Sequence, residues 1–128
     1  MIDQLNMLEK EARLLDTDPA LRADLNREVL DYVEDFLQGV EEAPAFQPEP
    51  GTSSILDELI PESGRGLTDA LEALYEQVDH VGIATTSPRF MGYIPGGGLY
   101  HSALGDMLAA VANRYAGVYF ASPGAVRI

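Results

Sequence analysis

At 128 residues, 46% of them hydrophobic, the chain has the length and apolar content of one globular domain. A formal net charge of −13 is the wrong sign for a phosphate-binding surface, which argues against a nucleic-acid partner. With no cysteine there is neither a disulfide framework nor a thiolate metal site.

The charge is unevenly spread. Residues 1–58 hold 15 acidic and 4 basic side chains, whereas residues 80–128 hold one acid, Asp106, and three arginines, Arg89, Arg114 and Arg127. Solvated helix faces account for the acidity. An acidic module that mimics nucleic acid or docks on a basic protein is the sharper alternative. No run of about 18 apolar residues suggests a membrane span, and the N-terminus lacks the basic start and apolar core of a secretory signal. A cytoplasmic protein without a membrane partner is expected.

In chain order, Ile2, Leu5, Leu8, Ala12 and Leu15 recur at helical spacing among charged residues. Asp18 then serves as an N-cap and Pro19 as the first helical residue, where a missing N–H costs nothing. The second helix places Leu21, Leu25, Val29, Tyr32, Val33, Phe36 and Val40 on one stripe, with Gly39 near its stop. Residues 1–42 thus read as a pair of acidic amphipathic helices, each with a stripe that needs covering. Residues 43–66 read as a proline- and glycine-rich linker, extended through Pro44, Pro48 and Pro50, with a short apolar patch from Ile55 to Ile60.

Residues 67–128 carry the remaining elements. Thr68 can cap a third helix that buries Leu71, Leu74, Tyr75 and Val78. Beyond His80 the chain turns poor in acids and rich in glycine, alanine and aromatics. Thr85 to Pro88 reads as a loop, and Arg89 to Pro95 as an extended, half-buried strip. Gly96-Gly97-Gly98 leads into a fourth helix from Tyr100 to Arg114, with Leu104, Met107, Leu108 and Val111 inward. Ser122 and Pro123 announce another helix, of which only Pro123 to Ile128 is present; a start signal with so little helix after it suggests a chain meant to continue. No alternating pattern supports a sheet, so the expected fold class is mainly α.

Catalytic chemistry is hard to assemble from these residues. His80 and His101 lack any ligand spacing and read as helix-end or surface residues, so no metal is expected. Ser87, Ser102 and Ser122 are not in a GxSxG elbow. Gly96-Gly97-Gly98 ahead of a helix is a weak phosphate cradle without GK[ST] or GxGxxG. The strip from Arg89 to Tyr100, with Phe90, Tyr93 and Tyr100 beside lightly shielded backbone, has the composition of a ligand-contact surface and equally that of a linker packed on a core.

The stretch Ser87 to Gly124, SPRFMGYIPGGGLYHSALGDMLAAVANRYAGVYFASPG, resembles the early part of group II pyridoxal-phosphate decarboxylases, a family that includes aromatic-L-amino-acid, tyrosine, histidine and glutamate enzymes. The matching elements are Ser-Pro-x-Phe before a Tyr-x-Pro loop, a helix with Leu-x-Asp-Met at its centre, and an Ala-Ser-Pro-Gly turn. The resemblance is strong over about 40 residues, those between Ser87 and Gly124, and weaker over the acidic helices and the proline linker.

The resemblance implies the N-terminal part of a fold-type I enzyme without its large α/β domain, with residues 67–128 as the start of that domain. It implies an intertwined homodimer, with the rest of a decarboxylase chain as the other partner, and pyridoxal phosphate in the full-length family but no cofactor in this segment. Tyr93, Ile94, Pro95 and Gly96 would face the substrate, and Tyr115 and Gly117 would reach the partner subunit's pocket. Ile94 and Gly117 stand where aromatic decarboxylases tend to carry aromatic residues. The family's Schiff-base lysine lies far downstream, and Lys10, the chain's one lysine, sits in no comparable context. The expected function is therefore a dimerisation and substrate-loop segment of an amino-acid decarboxylase, with no catalytic residue of its own. A free-standing acidic helical interaction module is the alternative.

Overall fold

The computed structural model describes residues 1–48, 59–93 and 98–127. Most of the apolar patch at 55–60, and the candidate residues Ile94, Pro95 and Gly96, lie outside them. The chain divides into two units, Met1–Gly92 and Tyr93–Ile128, and both are mainly helical.

In the first unit, α1 (Ile2–Ala12) continues into a 3-10 turn (Arg13–Leu15). Its apolar side chains Ile2, Leu5, Leu8 and Leu15 remain exposed. The second helix, α2 (Pro19–Gly39), begins where local chemistry dictates. The Asp18 carboxylate accepts from the amides of Ala20 and Leu21 at 2.8 and 2.9 Å, and Pro19 occupies the first helical position. Gly39 is its last residue. Leu25, Tyr32, Val33 and Val40 are half-buried, while Leu21, Val29 and Phe36 stay exposed, so the expected stripe is covered along only part of its length.

The third helix, α3 (Leu67–Leu74), packs against α2 and is capped by Gly66, not by Thr68. The Thr68 hydroxyl is recruited elsewhere: it donates to Glu28 Oε1 on α2 at 2.6 Å. Among the residues expected to be buried here, Leu71 is half-covered, and Leu74, Tyr75 and Val78 are exposed. A π-turn (Tyr75–Asp79) extends α3, closed by the His80 amide donating to the Tyr75 carbonyl at 3.1 Å. The wider i to i+5 winding brings residues five apart onto one side, and the rings of Tyr75 and His80 meet with centroids 3.9 Å apart.

The expectation of no sheet is corrected by a small one. Strand β1 (Phe46–Gln47) pairs antiparallel with β2 (Gly82–Ile83), Phe46 opposite Ile83 and Gln47 opposite Gly82. Two residues per strand are too few for an alternating signature, and the partners are far apart in sequence. Gly82 has φ of 79°, a conformation that a side chain would strain. Just beyond, the Thr85–Pro88 loop folds back on the end of α2. Ser87 is only 3% exposed; its hydroxyl donates to the Ala43 carbonyl at 2.6 Å and accepts from the Arg89 amide at 3.2 Å. The Arg89 guanidinium donates to the Glu42 carbonyl and, at 2.6 Å, to Glu42 Oε2. The strip after it is not half-buried throughout: Phe90 is partly covered, but Met91 and Tyr93 are exposed.

In the second unit, α4 (Tyr100–Ala112) stops short of the expected Arg114 because Asn113 turns into the left-handed region with φ of 42°. Asparagine tolerates that conformation better than most residues, and its amide closes the helix on the Ala109 carbonyl. The face expected to be inward is open, with Leu108 71% and Val111 77% exposed. The announced last helix forms as α5 (Pro123–Arg127), where Arg127 donates to the Tyr119 hydroxyl and lies 5.4 Å from that ring's centre. No helix among the described residues is long and apolar enough to cross a membrane.

Two substitutions separate the local from the tertiary contributions. Asp18→Ala should lower stability by about 1 kcal/mol through loss of the α2 cap, read as a reduced denaturation midpoint. Ser87→Ala removes a hydroxyl that satisfies both the Ala43 carbonyl and the Arg89 amide, and should cost about 1–3 kcal/mol in the same measurement. Faster amide exchange at Gly82 to Arg89 should accompany it, with α2 amides before Leu30 unchanged.

Candidate functional site

Three structural features bear on function, and each is built by a different part of the chain. The first is a cleft of about 670 Å³ wholly within the Met1–Gly92 unit. One wall is the C-terminal half of α2, from Tyr32 and Asp35 through Phe36 to Val40. The other runs from Tyr75 through the π-turn and β2 to Thr86, and the exit of α2 at Glu42–Pro44 closes the end. The Tyr32 hydroxyl crosses the gap and donates to Asp79 Oδ2 at 2.5 Å. Partial burial, together with that hydrogen bond and the charge of Asp79, pushes the Tyr32 pKa well above the usual tyrosine value. Tyr32 therefore stays protonated and remains a donor to the carboxylate throughout the physiological range.

Sequence reasoning placed Tyr32 on a buried stripe and Tyr75 on a buried face. It missed that a π-turn would put Tyr75, Asp79 and His80 on one lip of a cleft. No local signal in the sequence marks it, since Asp79 and His80 follow a helix that already alternates apolar with acidic residues.

The second feature is Tyr93, expected by resemblance to face the substrate. It sits in the left-handed region with φ of 55° and is exposed. A bulky residue held there carries about 1–3 kcal/mol of backbone strain, of the kind found at ligand clamps and switch segments.

The third is the pair Tyr115 and Gly117, which the structure does bring together. The tyrosine ring folds back over the glycine so closely that a Cβ at position 117 would lie 2.4 Å from Tyr115 Cζ and Oη. Glycine there is a condition for the placement of the ring, which the sequence alone does not disclose.

The sole lysine, Lys10, lies in the last turn of α1 and is exposed; it is not part of the cleft lining. These residues offer no amine placed to hold an aldehyde cofactor as an imine, and no step through such a group can be built on them.

Comparison with known proteins relates nearly the whole chain to decarboxylases. Over 134 aligned residues it is 27% identical to tyrosine decarboxylase 1 of Narcissus pseudonarcissus, a match covering 98% of this chain and 25% of that protein. Over 107 residues it is 30% identical to aromatic-L-amino-acid decarboxylase of Bos taurus, covering 80% of this chain and 21% of the relative. The chain thus spans about a quarter or less of the length of these curated relatives. No family model matches it, and no solved structure does. The chain is thus distantly similar to a tyrosine decarboxylase and an aromatic-L-amino-acid decarboxylase over their matched portions.

Proposed function

We propose that the chain is the N-terminal dimerisation and substrate-loop segment of a cytoplasmic, pyridoxal-phosphate-dependent amino-acid decarboxylase of group II, non-catalytic by itself. The observation that carries this reading is the alignment of 98% of the chain with one quarter of a tyrosine decarboxylase. Uncovered apolar side chains on α1 and α4 support the dimerisation half, since contiguous exposed apolar surface marks an association site. The left-handed Tyr93 and the folded-back Tyr115 support the substrate half: the first is an aromatic side chain on a strained backbone, and the second is one whose ring position requires a glycine at 117. The remaining length of such an enzyme would bring the Schiff-base lysine, the acidic partner of the cofactor ring and the phosphate site. What this segment contributes is surface: Tyr93, Ile94, Pro95 and Gly96 along one side of the pocket, and Tyr115 and Gly117 reaching the pocket of the partner subunit.

Sedimentation of the 128-residue chain over a wide concentration range tests the first half. Self-association to a dimer is expected, and a strict monomer at high concentration would overturn it. For the second half, the chain can replace the aligned quarter of the Narcissus enzyme. In a chimera that retains bound cofactor, Tyr93→Ala and Tyr115→Ala should each lower kcat/KM by about tenfold, equivalent to about 1.4 kcal/mol of lost transition-state stabilisation. Unchanged kcat/KM in both variants would remove the substrate-loop role. Gly117→Ala should expel the Tyr115 ring from its position, seen as a change in that ring's NMR shifts, and should reproduce the kinetic effect of Tyr115→Ala.

A further inference from the structure

The cleft between α2 and the π-turn has a charge pattern that a substrate-loop or dimerisation role leaves unused. Its volume, about 670 Å³, falls within the roughly 300–1,000 Å³ of small-molecule sites. Aromatic surface comes from Tyr32, Phe36 and Tyr75, and carboxylates come from Asp35 and Asp79, while no lysine or arginine is among the lining residues. Glu42, at the rim, is already matched by Arg89. Asp79 differs: it is half-buried, and its partner is the neutral hydroxyl of Tyr32, which orients the carboxylate without cancelling its charge. Oδ2 is held by that bond, which leaves Oδ1 as an acceptor. A partly desolvated anion beside aromatic faces suits a cation that is itself partly apolar.

Other ligand classes fit less well. A bare metal ion needs several donors converging, and no group of three or more His, Cys, Asp or Glu side chains among the described residues could hold one. An anion would meet Asp35 and Asp79 directly. A zwitterionic amino acid would bring its carboxylate into the same field.

We propose that this cleft binds a small organic ammonium ion with an aromatic or aliphatic body, its charge on Asp79 and Asp35 and its body against Tyr32, Phe36 and Tyr75. The site is complete within the Met1–Gly92 unit and does not depend on the decarboxylase reading. Tyr32 acts as the positioning residue, reaching across from α2 to fix the Asp79 carboxylate on the π-turn wall of the cleft. The π-turn is what brings Asp79 and the Tyr75–His80 ring pair to its lip.

Titrating the full 128-residue chain with phenethylammonium, followed by NMR, tests this directly. The controls are 2-phenylethanol, which keeps the body and loses the charge, and phenylalanine, which adds a carboxylate. The ammonium ion should bind at least about tenfold more tightly than either control, with shifts centred on Tyr32, Tyr75 and His80. Raising salt from about 50 to about 500 mM should weaken it several-fold. Asp79→Asn keeps an acceptor for the Tyr32 hydroxyl but removes the charge, and should weaken binding by about tenfold. Should that variant unfold, Asp35→Asn, on an exposed helix face, reads the same charge with an expected loss of several-fold. Equal affinity for the neutral or zwitterionic control, no saturable shift up to about 20 mM ligand, or indifference of a folded Asp→Asn variant would each overturn the proposal.

Discussion

The Ser87 hydroxyl is the contact on which the first half of the molecule turns. It spans 44 residues of sequence to reach the Ala43 carbonyl while receiving the Arg89 amide, and Ser87 is the most deeply buried of the described residues. The two-residue ladder between β1 and β2 is far below the size that holds itself together in water. The Arg89–Glu42 pair is largely exposed, which limits it to about 0–1 kcal/mol. Reversal of the chain at Thr85–Pro88 therefore depends on a small set of contacts in which the buried hydroxyl carries the most weight. Because that reversal sets β2 beside the exit of α2, it also sets the width of the cleft. Loss of the hydroxyl would loosen the wall opposite Tyr32, and so weaken a hydrogen bond in which Ser87 takes no part.

Polar ties matter this much because apolar burial is thin. None of the hydrophobic side chains among the described residues is fully buried, and α1 and α4 both keep apolar faces open. At about 25 cal/mol per Å² of apolar surface removed from water, faces like these are a substantial unrealised stabilisation. Under the proposed reading, a second subunit and the rest of a decarboxylase would supply the cover. The open faces and the similarity to decarboxylases then become two views of one requirement. The acidic character of Met1–Gly92 is consistent with this, since solvated carboxylates on the opposite faces keep α1 and α2 amphipathic rather than apolar all round.

The sequence was legible wherever a signal was local. Asp18-Pro19 starts α2 because cap and first-turn proline act within three residues, and Pro123 starts α5 by the same logic. The class, mainly α, follows from periodicity. Legibility failed where a distant partner intervened. Thr68 has the chemistry of a cap, but Glu28, 40 residues away, takes its hydroxyl, and Gly66 caps instead. The pairing of Phe46 with Ile83 has no local trace. The inward face of α4 was correctly recognised as apolar, yet apolar periodicity says which side of a helix wants cover and not whether this chain provides it. At the candidate site, the resemblance marked Tyr115 and Gly117 as members of one pocket. Only coordinates show that the ring lies on the glycine, because contact between residues two apart in an irregular segment depends on backbone angles with no periodic signature.

The two halves of the chain therefore secure their conformations in different ways. From Met1 to Gly92, caps, a π-turn and hydrogen bonds between distant residues fix a cleft. From Tyr93 onward the informative positions are backbone exceptions: Tyr93 and Asn113 at positive φ, and Gly117 beneath Tyr115. Strained or glycine-dependent positions cost stability locally, and they persist where surrounding structure or function holds them. They also coincide with the stretch, Ser87 to Gly124, whose motifs most resemble the decarboxylases. A segment under selection for packing alone would place its aromatics in relaxed conformations on a covered face. This one instead holds an exposed tyrosine, Tyr93, at positive φ, which fits the substrate-loop role proposed for it.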